Sequence, residues 1–135
     1  MRKIVLDTNC LLISLPKISP YRIVWDAFLR GSYQLCVSNE MIEEYLEILS
    51  LKINPRIATN VVSTILSSKH LCFVTPYYKF GLIRNDVDDN KFVDCAIAIG
   101  AECIVSNDAH FRILQAIPFP AVKVMDIASF AATCF

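Results

Sequence analysis

The 135-residue sequence carries 13 basic and 13 acidic side chains, a net charge of zero, and is 55% hydrophobic but only 19% charged. That fits one domain, 1–135, with a dense core, since domains typically run to about 100–150 residues. Zero net charge argues against bulk electrostatic binding of nucleic acid but leaves room for a basic rim around an acidic centre.

No run approaches the roughly 18 apolar residues of a membrane span, because Asp94, Glu102 and Asp108 interrupt the most apolar region. Residues 1–7 hold too short an apolar stretch for a secretory signal, which predicts a soluble, cytoplasmic protein. The six cysteines form no C-x-x-C pair and mostly sit in apolar runs. They read as reduced core residues rather than disulfides or zinc ligands. The surplus of apolar residues over one core predicts a homodimer, the commonest closed assembly.

In chain order, residues 3–7 form the first expected strand. Ser19-Pro20 opens a helix whose stripe is Ile23, Val24, Ala27 and Phe28, closed by Gly31. Residues 34–37 are the second strand. Ser38 caps a helix with the stripe Met41, Ile42, Tyr45, Leu46 and Leu49. Ile57, Val61, Ile65 and Leu66 mark another helix, and residues 72–75 a third strand. Residues 77–88 read as a polar and aromatic loop near the active end. Residues 88–99 form a helix apolar almost all round, stopped by Gly100. Strands at 103–106 and 122–125 complete the pattern. Short apolar strands alternating with helices predict a three-layer α/β/α sandwich around a parallel sheet of about five strands.

In such sheets ligands bind beyond the carboxyl ends of the strands. There the first strand delivers Asp7-Thr8-Asn9, the second leads to Ser38 and an acidic helix start, and the fourth ends at Ser106-Asn107-Asp108. Asp86, Asp88 and Asp89 open the helix that feeds the fourth strand. Between Arg84 and His110 six acids face only Arg84 and Lys91 as counter-charges. Desolvated acids repel unless paired, and a hard divalent cation, Mg²⁺ or Mn²⁺, is the fitting partner for oxygen ligands.

Several acids have simpler explanations. Glu40 suits a helix N-terminus through the macrodipole, and Asp86 and Asp88 suit helix capping. Asp94, out of phase with Asp89, fits a solvated position or a hydrogen bond better than a ligand. His70 and His110 lack a metal-binding context and read as surface or satisfied histidines. Tyr77, Tyr78 and Phe80 fit base stacking and wedging against the core equally well.

Four segments in order resemble the PIN domain, the nuclease fold of VapC-type toxins and PilT N-terminal-type relatives, across nearly the whole chain. They are Ile4-Val5-Leu6-Asp7-Thr8-Asn9, Val37-Ser38-Asn39-Glu40-Met41-Ile42-Glu43-Glu44-Tyr45, Asp86-Val87-Asp88-Asp89-Asn90-Lys91-Phe92, and Ile104-Val105-Ser106-Asn107-Asp108. The resemblance implies four catalytic, metal-holding acids: Asp7, Glu44, Asp89 and Asp108. Gly100, following Asp89 at family spacing, supports that register, and Asn90 is the alternative occupant of the third position. Asn107 departs from the subgroup, which often has glycine there.

The resemblance further implies hydrolysis of RNA phosphodiester bonds by a metal-dependent endoribonuclease, the toxin component of a toxin-antitoxin system with a cognate antitoxin. Thr8, Asn9 and Ser106 would hold the acids in position, and Arg84 and Lys91 would take substrate phosphates. The main alternative is a PIN domain kept as a protein- or RNA-binding module without catalysis. A haloacid-dehalogenase phosphatase would need a second acid where Asn9 stands. Nucleotide-binding glycine motifs do not occur.

Overall fold

The computed structural model describes residues 1–84 and 86–134. In chain order the elements are β1 (Lys3–Leu6), α1 (Thr8–Ser14), α2 (Arg22–Arg30), β2 (Gln34–Val37), α3 (Asn39–Lys52), α4 (Pro55–Ser67) and β3 (Leu71–Phe73). A 3-10 turn at Val87–Asp89 then leads into α5 (Asn90–Ile99) and β4 (Cys103–Val105). A 3-10 segment at Ala109–Ala116, β5 (Val124–Met125) and α6 (Ile127–Ala131) follow.

The five strands are parallel in the order β3-β2-β1-β4-β5. Ile4, Val5 and Leu6 in β1 and Cys103, Ile104 and Val105 in β4 are all buried. Successive strand side chains point to opposite faces, so burial of every one requires helices on both faces of the sheet. The expected three-layer α/β/α fold is therefore observed. The chain builds β2 and β3 on one side of β1, then crosses to place β4 and β5 on the other. This topological switch opens a crevice at the carboxyl ends of β1 and β4.

Two hydroxyls brace this frame. Tyr45 in α3 donates a hydrogen bond to the Leu6 carbonyl at 2.6 Å, and Tyr33 donates to the Val24 carbonyl at 2.7 Å. Both tyrosines are fully buried, so each oxygen needs an internal partner. The Tyr45 bond anchors α3 over the end of β1.

The elements differ from the sequence pattern in identifiable ways. β1 stops at Leu6 because Asp7 turns to cap α1, a short helix that the apolar periodicity did not reveal. α2 begins at Arg22 rather than at Ser19, whose hydroxyl donates to the Ile13 carbonyl at 2.5 Å and accepts from the Tyr21 N–H. That local bonding makes residues 19–21 a turn before the helix. β3 and β5 are shorter or shifted relative to 72–75 and 122–125, since each outer strand has a single neighbour to pair with. The helix expected from residue 88 opens as a 3-10 turn and becomes α-helical at Asn90. Gly31 and Gly100 close α2 and α5 in the left-handed region, as expected. All six cysteines are free thiols, five of them buried.

Candidate metal centre

Asp7 lies at the foot of the crevice, 6% exposed. Its backbone N–H donates to the Val105 carbonyl at 3.1 Å, extending the β1–β4 ladder by one bond. Its Oδ1 accepts the Cys10 N–H at 2.8 Å, which caps α1, and its Oδ2 accepts the Ser106 hydroxyl from the end of β4. Burial pushes the Asp7 carboxyl above its ordinary value; the bonds from Ser106 and Cys10 pull it down, and the charge of Asp108 pushes it further up. A carboxylate in that position is held rigidly and lacks a full counter-charge.

Ser106 links the next acid. Its Oγ accepts the Asp108 N–H at 3.0 Å. Asp108 Oδ1 accepts the His110 N–H at 2.9 Å and so caps the 3-10 segment that follows. The His110 ring turns back, with Nδ1 at 3.3 Å from Asp108 Oδ1, 3.3 Å from Asp89 Oδ2 and 3.6 Å from Asp86 Oδ2. Asp86 caps the Val87–Asp89 turn through the Asp88 N–H, as its sequence position suggests. Asp89 carries the most perturbed of these carboxyls. Burial, then the charges of Asp86 and Asp108, push it up to about 6, with His110 acting in the opposite sense.

Glu44 stands on the other side of Asp7. Its Oε2 accepts the hydroxyl of Thr8, and its Oε1 meets Lys91 Nζ at 2.7 Å in a mostly buried ion pair. The Tyr45–Leu6 bond delivers Glu44 to this place by fixing the adjacent turn of α3. Glu40, one turn earlier, is exposed at the start of α3 and lies 3.9 Å from Lys79.

The four acids singled out from sequence thus form a connected string rather than one tight cage. Glu44 meets Thr8, the neighbour of Asp7; Ser106 joins Asp7 to Asp108; and His110 joins Asp108 to Asp89. Among the described residues, the group whose ligand atoms all lie within 4.8 Å of one another is Asp86, Asp89 and His110. Of the supporting residues, Thr8 and Ser106 do hold acids, whereas Asn9 is exposed and makes no side-chain hydrogen bond among the described residues. Lys91 is committed to Glu44, while Arg84 is exposed and lines a cavity with His110.

Asn90 does not belong to this string. Its amide accepts the Ile83 N–H and donates to the Ile83 carbonyl, both at 2.9 Å. Asp94, read as solvated or hydrogen-bonded, is buried and accepts the Phe80 N–H at 3.1 Å. His70 packs its ring against Gly31, where any Cβ would meet it at 2.4 Å. The reading of His110 as a surface or satisfied histidine was incomplete, since it faces three acids. The available signal was its position two residues after Asp108, beyond a strand whose carboxyl end faces the crevice.

The donor set suits a divalent cation. Carboxylate oxygens dominate, and burial together with neighbouring acids raises the Asp7 and Asp89 carboxyls. One imidazole among them is compatible with Mn²⁺ and less usual for Mg²⁺.

The sequence profile described as "PIN domain" matches residues 3–110. No curated protein sequence matches. Among solved structures, the chain is similar to one in DNA-bound VapBC from Salmonella typhimurium, with 22% identity, a TM-score of 0.61, and coverage of 94% of this chain and 99% of the other. It is also similar to one in VapBC2 from Rickettsia felis bound to a promoter DNA fragment, with 18% identity, a TM-score of 0.59, and coverage of 92% and 98%. At these identities the structural likeness establishes the fold.

Proposed function

This chain belongs to the PIN-domain family, and from that premise we propose that it is a metal-dependent endoribonuclease acting on RNA phosphodiester bonds. The observation that carries the proposal is the string of carboxylates at the β1–β4 switch point, where Asp7 is desolvated and Asp89 is pushed up to about 6. Maintaining that repulsion has a stability cost, which a cation-binding role explains.

Asp7, Glu44, Asp89 and Asp108 would hold Mg²⁺ or Mn²⁺; the closeness of Asp86 and His110 to Asp89 supports a contribution from them. When bound, the cation supplies positive charge for the phosphoryl oxygens and lowers the pKa of water. The chain's own residues supply orientation. Ser106 and the Cys10 N–H fix both oxygens of Asp7, Thr8 fixes one oxygen of Glu44, and the Ser106 hydroxyl holds the Asp108 backbone. Arg84, exposed and lining a cavity with His110, would take a substrate phosphate.

The biological reading is a toxin, with a cognate antitoxin as partner, and both similar solved structures being VapBC assemblies supports it. Free thiols fit a reducing, cytoplasmic setting. Exposed Leu46, Leu51, Leu66 and Phe73 supply apolar surface for a homodimer. Among the described residues no helix is long and apolar enough to cross a membrane.

A second reading, a binding module without catalysis, is favoured by the Lys91–Glu44 pair, which occupies one expected ligand. Cleavage of a fluorogenic single-stranded RNA with Mn²⁺, with EDTA, and by the Asp7→Asn variant separates the two. Metal-dependent cleavage by wild type alone supports the nuclease; no cleavage under any metal condition supports the module.

A further inference from the structure

Beyond the acids, the chain passes from β3 through a segment that displays three aromatic rings. Tyr77 and Tyr78 are 91% and 76% exposed, and Phe80 is 41% exposed. A ring this open contributes little to the core, so wedging against the interior does not explain Tyr77 and Tyr78. The Tyr78 and Phe80 rings lie 6.1 Å apart at 38°. Together with Thr75, Ile97 and Asp94 they line a cavity of about 370 Å³.

Asp94 is the unusual member. It is 6% exposed, yet it lines this cavity and two adjoining ones of about 150 and 260 Å³. Its Oδ1 accepts the Phe80 N–H, while among the described residues its Oδ2 has no hydrogen-bond donor. Burial pushes this carboxyl up and the charge of Glu40 adds to that, opposed by the Phe80 N–H and by Lys79. A largely buried carboxylate whose second oxygen is open to solvent beside exposed rings fits a flat ligand with donors on its edge.

The surroundings indicate which ligand. Lys79, strongly exposed and 3.9 Å from Glu40, lines the two adjoining cavities that share Asp94. Phe80 is shared with a cavity of about 450 Å³ that runs past Arg84 to His110, and so to the acids. Rings for stacking, cations for phosphates and continuity with the hydrolytic centre together describe a track for single-stranded RNA.

We propose that Tyr78, Phe80 and Asp94 form a base subsite selective for guanine, stacking the base and reading its Watson–Crick edge. A carboxylate offers acceptors only. Guanine presents two adjacent donors there, N1–H and the N2 amino group. Adenine and cytosine place an acceptor beside their amino donor, and uracil flanks its single donor with two carbonyls; both arrangements repel a carboxylate. This inference rests on the nuclease reading for its substrate class, but its test reads binding.

The probes are fluorescently labelled uridine tracts carrying one central guanosine, adenosine, cytidine or uridine, titrated with the full chain in the Asp7→Asn background so that the RNA stays intact. The guanosine tract should bind about tenfold tighter than the others, in line with one well-made base contact. Asp94→Asn can keep the Phe80 bond through its amide oxygen but turns a donor toward guanine, so the preference should collapse while the melting temperature holds. Tyr78→Ala should weaken all four tracts similarly. Equal binding of the four tracts, an undiminished guanosine preference in a folded Asp94→Asn protein, or no binding to any tract would overturn the subsite. Guanosine-selective binding by a wild-type chain that cleaves nothing would uphold the subsite and remove the nuclease reading; cleavage without base preference would do the reverse.

Discussion

Asn90 holds both backbone polar groups of Ile83, each at 2.9 Å, and so pins the loop after β3 to the first turn of α5. Its neighbour Asp89, one residue earlier, instead meets His110 at 3.3 Å. Adjacent residues of nearly equal size therefore have opposite duties, one tying down a loop and one facing the acids. Asn90→Ala should leave the buried Ile83 N–H and carbonyl unpaired, at about 1–3 kcal/mol for each lost partner. The melting temperature should fall by roughly 3–6 °C per kcal/mol for a domain of this size. Asp89→Asn should leave the metal-free melting temperature unchanged or raise it, because repulsion from Asp86 and Asp108 is relieved. Calorimetry on the two variants decides the assignment, and the reverse ranking would place the third ligand at Asn90.

Asp7→Asn keeps the size of the side chain and an oxygen to accept the Cys10 N–H. It removes the charge that binds a cation. RNA cleavage with Mn²⁺ should fall by orders of magnitude while circular dichroism stays native. A variant that cuts at the wild-type rate would exclude Asp7 from the centre.

Glu44 and Glu40 lie one helical turn apart but in different surroundings. Glu44→Gln loses the Lys91 ion pair and should abolish cleavage. Glu40→Gln should cost only about 0.3–1 kcal/mol, the range for a charge at a helix terminus, and leave cleavage intact. Equal losses of activity, measured side by side, would show that the α3 register has been misassigned.

The Asp89 carboxyl sets a pH dependence. Pushed up to about 6 in the folded chain, it keeps its proton where the unfolded chain, near 3.8, has released it. The stability this contributes is fully present below about 4 and is lost as pH rises through about 6. Asp89→Asn should flatten the corresponding fall in a metal-free stability profile.

Metal binding runs against that proton. Because the acids are distant in sequence, the unfolded chain offers no assembled site, so Mn²⁺ should raise the melting temperature. At 100 times its dissociation constant the gain is about 2.7 kcal/mol. The rise should shrink as pH drops through about 6, vanish in Asp7→Asn, and persist in Asp94→Asn. A wild-type melt that ignores Mn²⁺ at pH 7 would deny the cation site.

The alternation of buried strands with helices is written locally, because a strand covered on both faces must be apolar at nearly every position. The sequence by itself therefore determined the parallel sheet, the residues after β1 and β4, and the glycine stops at Gly31 and Gly100. Short elements such as α1 escaped notice, since Asp7 caps it while also closing a strand. What only the tertiary structure decided is which acids meet. Glu44 reaches the crevice because Tyr45 is bonded to the Leu6 carbonyl, and it arrives already paired with Lys91, 47 residues away. His110 joins the acids, and Asn90 leaves them, through contacts that no periodicity encodes. The crossover that places β4 beside β1 likewise brings Ser106 to Asp7, 99 residues away.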